Sequence, residues 1–251
     1  MMTTTVFRPL LAALAMPLAL ALTACGGGDE AAAPAGEPVA AVPAPEGQNW
    51  TDVVAETPEG GYLVGNPDAP IRLLEYGSHT CPACAAFSND AMQPLLQDYV
   101  DSGRVSYEFR SVVIHGAIDL LLTRLIQCGP KEAAIPLSEQ IWGNLNAVLD
   151  PVEANMASVQ QAMSLPEDQR LVAYAERGKL LDFFAARGMS TDQAKQCLAD
   201  FPAVQALASQ MESQTDKDGV NSTPTFFLNG RRLDGTSWRD VEPALQRAGA
   251  R

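Results

Sequence analysis

Two cysteines, Cys81 and Cys84, flank Pro82 and Ala83 at a point where the chain changes character. The apolar run Ile71 to Tyr76 before them has strand character, and a helical pattern begins at Pro82. Thiols placed this way suit thiol-disulfide exchange. The first turn of a helix offers unpaired backbone N–H groups and the positive end of the macrodipole, and both stabilise a thiolate. A cysteine pKa in such a setting falls from about 8.5 to roughly 3.5–7.5, which makes the sulfur a nucleophile and a good leaving group. Cys81 is therefore the candidate nucleophile, and Cys84, in the same turn, the residue that resolves a mixed disulfide. Pro82 fits the N1 position, where its fixed φ is already helical and its missing N–H has no helical partner. Half of a zinc site and an inert structural bridge are the competing readings. A four-thiolate zinc site needs a second close pair, and Cys128 and Cys197 are far apart in sequence.

The elements that must position these thiols follow from periodicity. Gly61 to Val64 reads as a short strand, Gly65-Asn66-Pro67-Asp68 as a turn, and Ile71 to Tyr76 as a strand. A helix runs from Pro82 to about Val100 with Cys84, Phe87, Ala91, Leu95 and Tyr99 on one face, and Pro94 should kink it. Val105 to Arg110 alternates as a half-buried strand, completing a β-α-β unit with the CxxC at its turn from strand to helix. Residues 117–218 are helical throughout, with Ile118, Leu121, Leu122, Leu125 and Cys128 in one stripe, and Ser190 to Gln193 as a capping box before the helix of Cys197. Thr225 to Leu228, Asn229-Gly230 and Arg231 to Leu233 form a hairpin with a type I′ turn, and Ser237 to Asp240 caps a last helix.

The first segment sets the compartment. Arg8 precedes a short apolar stretch, Pro9 to Leu22, that fits a secretion signal better than a membrane span. It ends in Leu22-Thr23-Ala24-Cys25, which resembles the lipobox of bacterial lipoproteins and makes Cys25 the expected lipid attachment site. An ordinary secretory signal is the alternative, and either one exports the domain. The expected divisions are a signal peptide over 1–24, a Gly/Ala/Pro-rich disordered tether over 25–49, and one domain over 50–251. The formal charge of −13, with no basic patch or stripe, excludes nucleic acid as a partner.

The pattern resembles the thioredoxin fold as elaborated in DsbA-like thiol-disulfide oxidoreductases. Leu74 to Cys84 and Val220 to Gly230 carry the resemblance. It implies an α/β thioredoxin fold with a helical insertion between its β-α-β and β-β-α halves. In that family the proline matching Pro224 is cis and its loop lies beside the CxxC, so Thr223 and Pro224 are the expected substrate-binding residues. Members also carry an acid six residues before the first cysteine, which here is Glu75. A buried carboxyl has a raised pKa and can exchange a proton with Cys84, whereas a strand-end Glu turned to solvent would have no role. Some DsbA-like proteins of alphaproteobacteria have a second bridge, and in an oxidising compartment Cys128 and Cys197 are most simply such a structural disulfide; two unpaired core thiols are the rival. His79, two residues before Cys81, would add positive potential there if protonated but reads more simply as a plain loop histidine, and His115 receives no role.

These readings converge on a monomeric, lipid-anchored oxidoreductase on the periplasmic side of a bacterial membrane, inner or outer, that oxidises thiols of unfolded exported proteins. It needs a membrane redox partner, no metal, and no cofactor beyond the Cys81–Cys84 disulfide. The best-known oxidases of the family have His at the position of Ala83, which leaves reduction as the near alternative. The short segment ahead of the domain argues against an isomerase with a dimerisation module. A copper-delivery protein with Cys81 and Cys84 as soft ligands and a chaperone binding chains at the Pro224 groove are the rivals from other classes.

Overall fold

The computed structural model describes residues 1–3 and 36–251. The leader beyond residue 3, Cys25 and the first part of the tether lie outside the described residues, and among those described no helix is long and apolar enough to cross a membrane.

Six strands form one mixed sheet: β1 (Val54–Glu56), β2 (Tyr62–Gly65), β3 (Ile71–Gly77), β4 (Val105–Ser111), β5 (Thr225–Leu228) and β6 (Arg231–Arg232), in the spatial order β1-β2-β4-β3-β5-β6. β3 runs parallel to β4, with Glu75 opposite Phe109, and antiparallel to β5, with Glu75 opposite Phe226. Glu75, Tyr76 and Gly77 at the end of β3 are all buried although successive residues point to opposite faces, so both faces of the sheet are covered there. The α/β order, with all insert helices between β4 and β5, is the expected thioredoxin architecture.

Helix α1 (Pro82–Pro94) leaves β3 through a four-residue loop and buries Cys84, Phe87 and Ala91 on one face. Pro94 changes the winding of the helix. It has no N–H to donate and its ring crowds the preceding turn, and the chain continues as a π-helical segment over Leu95–Val100, closed by a bond from Asp101 N–H to the Leu96 carbonyl. Leu95 and Tyr99 stay on the buried side.

The insert comprises α2 (Ala117–Gln127), α3 (Ala134–Gly143), α4 (Leu145–Ala154), α5 (Met156–Ala162), α6 (Glu167–Arg177), α7 (Leu180–Ala185), α8 (Thr191–Ala199) and α9 (Phe201–Lys217). α1 packs on α3, and the closing helix α10 (Trp238–Arg247) packs on β5. Ser190 caps α8 by accepting the Gln193 N–H at 3.1 Å. The return half of the expected capping box is absent here, because the Gln193 side chain donates instead to the Cys128 carbonyl at 2.9 Å. Asn229 and Gly230 both have positive φ (49° and 77°), as a type I′ hairpin turn requires. The Ser237–Asp240 capping box is complete.

Residues 36–49 correct the tether expectation. Gly36 N–H donates to the Arg247 carbonyl at 2.7 Å, Val39 N–H to Gly249 at 2.9 Å and Val42 N–H to Ser102 at 3.0 Å. In return, the Trp50 indole donates to the Val42 carbonyl at 2.7 Å and Arg104 Nε to the Val39 carbonyl at 2.8 Å. Composition counts apolar side chains, of which this stretch has few. Its extended backbone nevertheless carries free donors and acceptors that the body of the domain satisfies.

Candidate active site

Cys81 is the N-cap of α1, in extended backbone conformation (φ −83°, ψ 120°), and Pro82 occupies N1. Its sulfur accepts the Cys84 N–H at 3.4 Å and lies 3.4 Å from the Thr223 carbonyl, to which the protonated thiol donates. Cys84 is fully buried and Cys81 is 7% exposed. This offset gives the two sulfurs opposite acidities. The Cys81 pKa is lowered to about 5, chiefly by the hydrogen bond from the Cys84 thiol, while burial opposes the shift and the backbone N–H groups of Cys84 and Ala83 add to it. The Thr223 side chain acts in the same sense, although its buried hydroxyl closes no hydrogen bond of good geometry, so it carries less weight. Cys84 is pushed far above the ordinary thiol range by giving its proton to Cys81, by burial and by the nearby Glu75 carboxyl. One sulfur is thus an ion at neutral pH and the other holds its proton.

Glu75 lies beneath this pair and is 1% exposed. Burial raises its pKa to about 8; the Tyr107 hydroxyl, donating to Oε2 at 2.8 Å, pulls it down, and the Cys81 charge pushes it up. Oε1 is buried without a partner. The reading of Glu75 as a solvent-facing strand end is overturned. Gly77 makes room for it: a β-carbon there would stand 2.6 Å from the Phe109 ring and 3.0 Å from Oε1.

The Thr223–Pro224 bond is cis and places Thr223 against Cys81. Cys128 and Cys197 form a disulfide between the ends of α2 and α8, with Cα atoms 6.2 Å apart, remote in sequence from the CxxC. His79 is a buried neutral ring: it stacks on Trp142 with centroids 5.6 Å apart, contacts the Ser138 hydroxyl at 3.0 Å, and burial lowers its pKa to about 4. It lends Cys81 no positive charge.

Asp119 is the residue that sequence reasoning passed over. It is fully buried and accepts from the Ser78 hydroxyl at 2.7 Å, the Thr80 hydroxyl at 2.8 Å, the Ile114 N–H at 2.8 Å and the His115 N–H at 2.7 Å. It thereby ties the loop that presents Cys81 to the loop before α2, while the Trp142 indole donates to the Ser78 carbonyl at 3.0 Å. The available signal was an acid in the first turn of an otherwise apolar helix stripe. Tyr107 was hidden in the same way, as one of the apolar positions of an alternating strand.

A strand that turns into a helix at a CxxC, a cis-proline loop against the leading sulfur and a helical insert between the halves define a thioredoxin-fold protein of DsbA-like build. The thioredoxin family model matches residues 57–247, and the chain belongs to that family. Within it, the chain is similar to a protein-disulfide isomerase from Novosphingobium aromaticivorans, a crystal structure with 28% identity and a TM-score of 0.69 over 74% of this chain and 96% of that one. It is 26% identical over 190 residues to disulfide bond formation protein D of Bacillus subtilis strain 168, covering 73% of this chain and 75% of that protein. A Rickettsia bellii protein bearing the name of a protein-disulfide oxidoreductase is 24% identical over 76% of this chain, which spans 65% of that protein's length.

Proposed function

We propose that this chain is an exported thiol-disulfide oxidoreductase that passes its Cys81–Cys84 disulfide to thiols of other exported proteins. The observation that carries the reading is the asymmetry of the pair, with Cys81 lining an open cavity and its acidity raised while Cys84 lies fully buried behind it and keeps its proton. A substrate sulfur attacks Cys81, and Cys84 leaves toward the Glu75 carboxyl, which supplies its proton. A second substrate thiol then attacks the mixed disulfide and frees Cys81 as a stable thiolate. Thr223 and Pro224 hold the substrate chain beside the sulfur, and Cys128–Cys197 staples the insert.

The oxidising direction rests on energetics. A thiolate stabilised to a pKa of about 5 favours the reduced form, and stabilising the reduced form makes the disulfide a stronger oxidant. Ala83 supplies no side-chain donor, and the donors that favour the Cys81 thiolate are the Cys84 thiol and the backbone N–H groups of Cys84 and Ala83. Export and lipid anchoring at Cys25 rest on the leader sequence, and reoxidation falls to a membrane redox partner.

Equilibration with glutathione buffers tests the direction. The reading expects a potential well above the roughly −270 mV of thioredoxin, with reduced unfolded substrate becoming oxidised. A value at or below that figure would make the protein a reductase. Faster reshuffling of a scrambled substrate than oxidation of a reduced one would make it an isomerase.

A further inference from the structure

His115 lies outside the exchange machinery described so far, yet it borders the same cavity. That cavity, of about 600 Å³, is lined by Cys81, Val113, His115, Thr215 and Thr223 among others. The imidazole is exposed but held in place. Its Nδ1 is 2.7 Å from the Thr80 hydroxyl, which is 2.8 Å from Asp119 Oδ1, and Asp119 Oδ2 accepts the backbone N–H of His115 itself.

A carboxylate only accepts, so with the hydroxyls of Ser78 and Thr80, themselves 3.0 Å apart, both giving their protons to Asp119 Oδ1, Nδ1 of His115 is the donor to Thr80. The neutral ring then carries its free lone pair on Nε2. Asp119 is fully buried and faces this relay from α2. The other titratable neighbours are Cys81 across the cavity and, in the apolar pocket that shares Val113 and Thr215, Glu212 of α9. An oriented imidazole that shares a cavity with the sulfur under attack is placed to take the proton of an incoming thiol.

We propose that His115 is a catalytic base for the incoming thiol, with Thr80 and Asp119 as its positioning residues. The step rests on the exchange reaction proposed above. Nε2 takes the proton from a substrate thiol while that sulfur attacks Cys81. The sulfur-sulfur bond to Cys84 breaks as the mixed disulfide to Cys81 forms, and Cys84 leaves with the electron pair and receives the Glu75 proton. The imidazolium then releases its proton to solvent. After the second substrate thiol attacks, the substrate has lost two electrons and the pair has gained them.

At pH 7 a thiol of pKa about 8.5 is roughly 3% ionised, so supplying the thiolate can gain at most about 30-fold. The test is the rate at which the oxidised protein oxidises a reduced, unstructured cysteine peptide between pH 6 and 9, in wild type, His115→Asn, His115→Gln and Thr80→Val. Asn can keep a donor to Thr80 but has no basic nitrogen. His115→Asn should slow the reaction about 10-fold at pH 7, with the loss shrinking to about twofold at pH 9 as the peptide ionises unaided. Thr80→Val should show the same pH-dependent loss in weaker form, and the Cys81 thiolate titration of the reduced protein should not move.

A wild-type rate in His115→Asn with a loss only in His115→Gln would make the ring structural and overturn the proposal. So would an equal loss at every pH, or a shifted Cys81 titration. If wild type exchanges only in the reducing direction, the oxidase reading fails and the assignment does not. By reversibility, the imidazolium then protonates the leaving thiolate, and His115→Asn should show the same fold loss in peptide-disulfide reduction; an unchanged rate there also overturns it.

Discussion

Replacing Glu75 by Gln should change how the stability of the reduced protein varies with pH. Folded Glu75 keeps its proton to about pH 8, against 4.5 in the unfolded chain. Between those values the folded state binds more protons, so this carboxyl lowers stability as pH rises, by about 1.4 kcal/mol per unit and some 3 kcal/mol in all by pH 7. Cys81 has the opposite sign. Its folded pKa of about 5 lies below the unfolded value of 9.0, so it contributes stability that grows from pH 5 to 9 and is lost as pH falls through 5. Solvent reaches this sulfur, and screening trims its contribution at pH 7 to about 1–2 kcal/mol. In the reduced wild type the two slopes oppose one another between pH 5 and 8. Glu75→Gln removes the falling contribution and leaves the rising one. Urea unfolding of both reduced proteins at pH 5, 6, 7 and 8 reads the difference directly, since all other groups are shared. The variant should gain on wild type by about 1 kcal/mol per pH unit. Parallel profiles would refute the assignment of Glu75 as a buried carboxyl that is protonated at neutral pH.

Three further outcomes follow. Replacing Cys128 and Cys197 by Ser opens a loop with a sequence separation of 69 residues, and should cost roughly 4 kcal/mol in denaturant unfolding with thiol exchange at Cys81 unchanged; equal exchange and equal stability would leave the bridge without a structural role. Asp119→Ala strands two hydroxyls and two backbone N–H groups and should cost about 3 kcal/mol in thermal melts, whereas a change below 0.5 kcal/mol would contradict its place as the clamp of the Cys81 loop. Gly103 has φ +72°, and a β-carbon there would meet the Val42 carbonyl and the Trp50 indole, so Gly103→Ala should cost about 1–3 kcal/mol and expose residues 36–49 to limited proteolysis; unaltered cleavage would argue against their docking.

The parts legible in the sequence are those governed by local chemistry. The CxxC, the Asn229-Gly230 turn, the Ser237 capping box and the stripe from Cys84 to Tyr99 each depend on neighbours within a turn or two, and each lies where its spacing places it. Pro94 was legible as a perturbation of the helix, while the π-helical winding that follows it left no mark in the spacing. The tether boundary was misplaced because hydrogen bonds from Arg104 and Trp50 to backbone carbonyls leave no mark in composition. Tyr107, Asp119 and His115 act through partners 32, 41 and 35 residues away, and single-sequence periodicity records only that they occupy a face. The acid in β3 is the intermediate case: its place before the CxxC marked it, while its partner on β4 did not show.

The central claim is that one sulfur of the pair is ionised at neutral pH and the other is not. Titrating the thiolate ultraviolet absorbance of the reduced protein, beside a Cys84→Ser variant, tests it most directly. The account predicts that one thiolate forms in wild type with a midpoint near pH 5 and that Cys84 stays protonated throughout the accessible range. In the variant the single midpoint should remain well below an ordinary thiol. Two thiolates appearing together near pH 9 would contradict it.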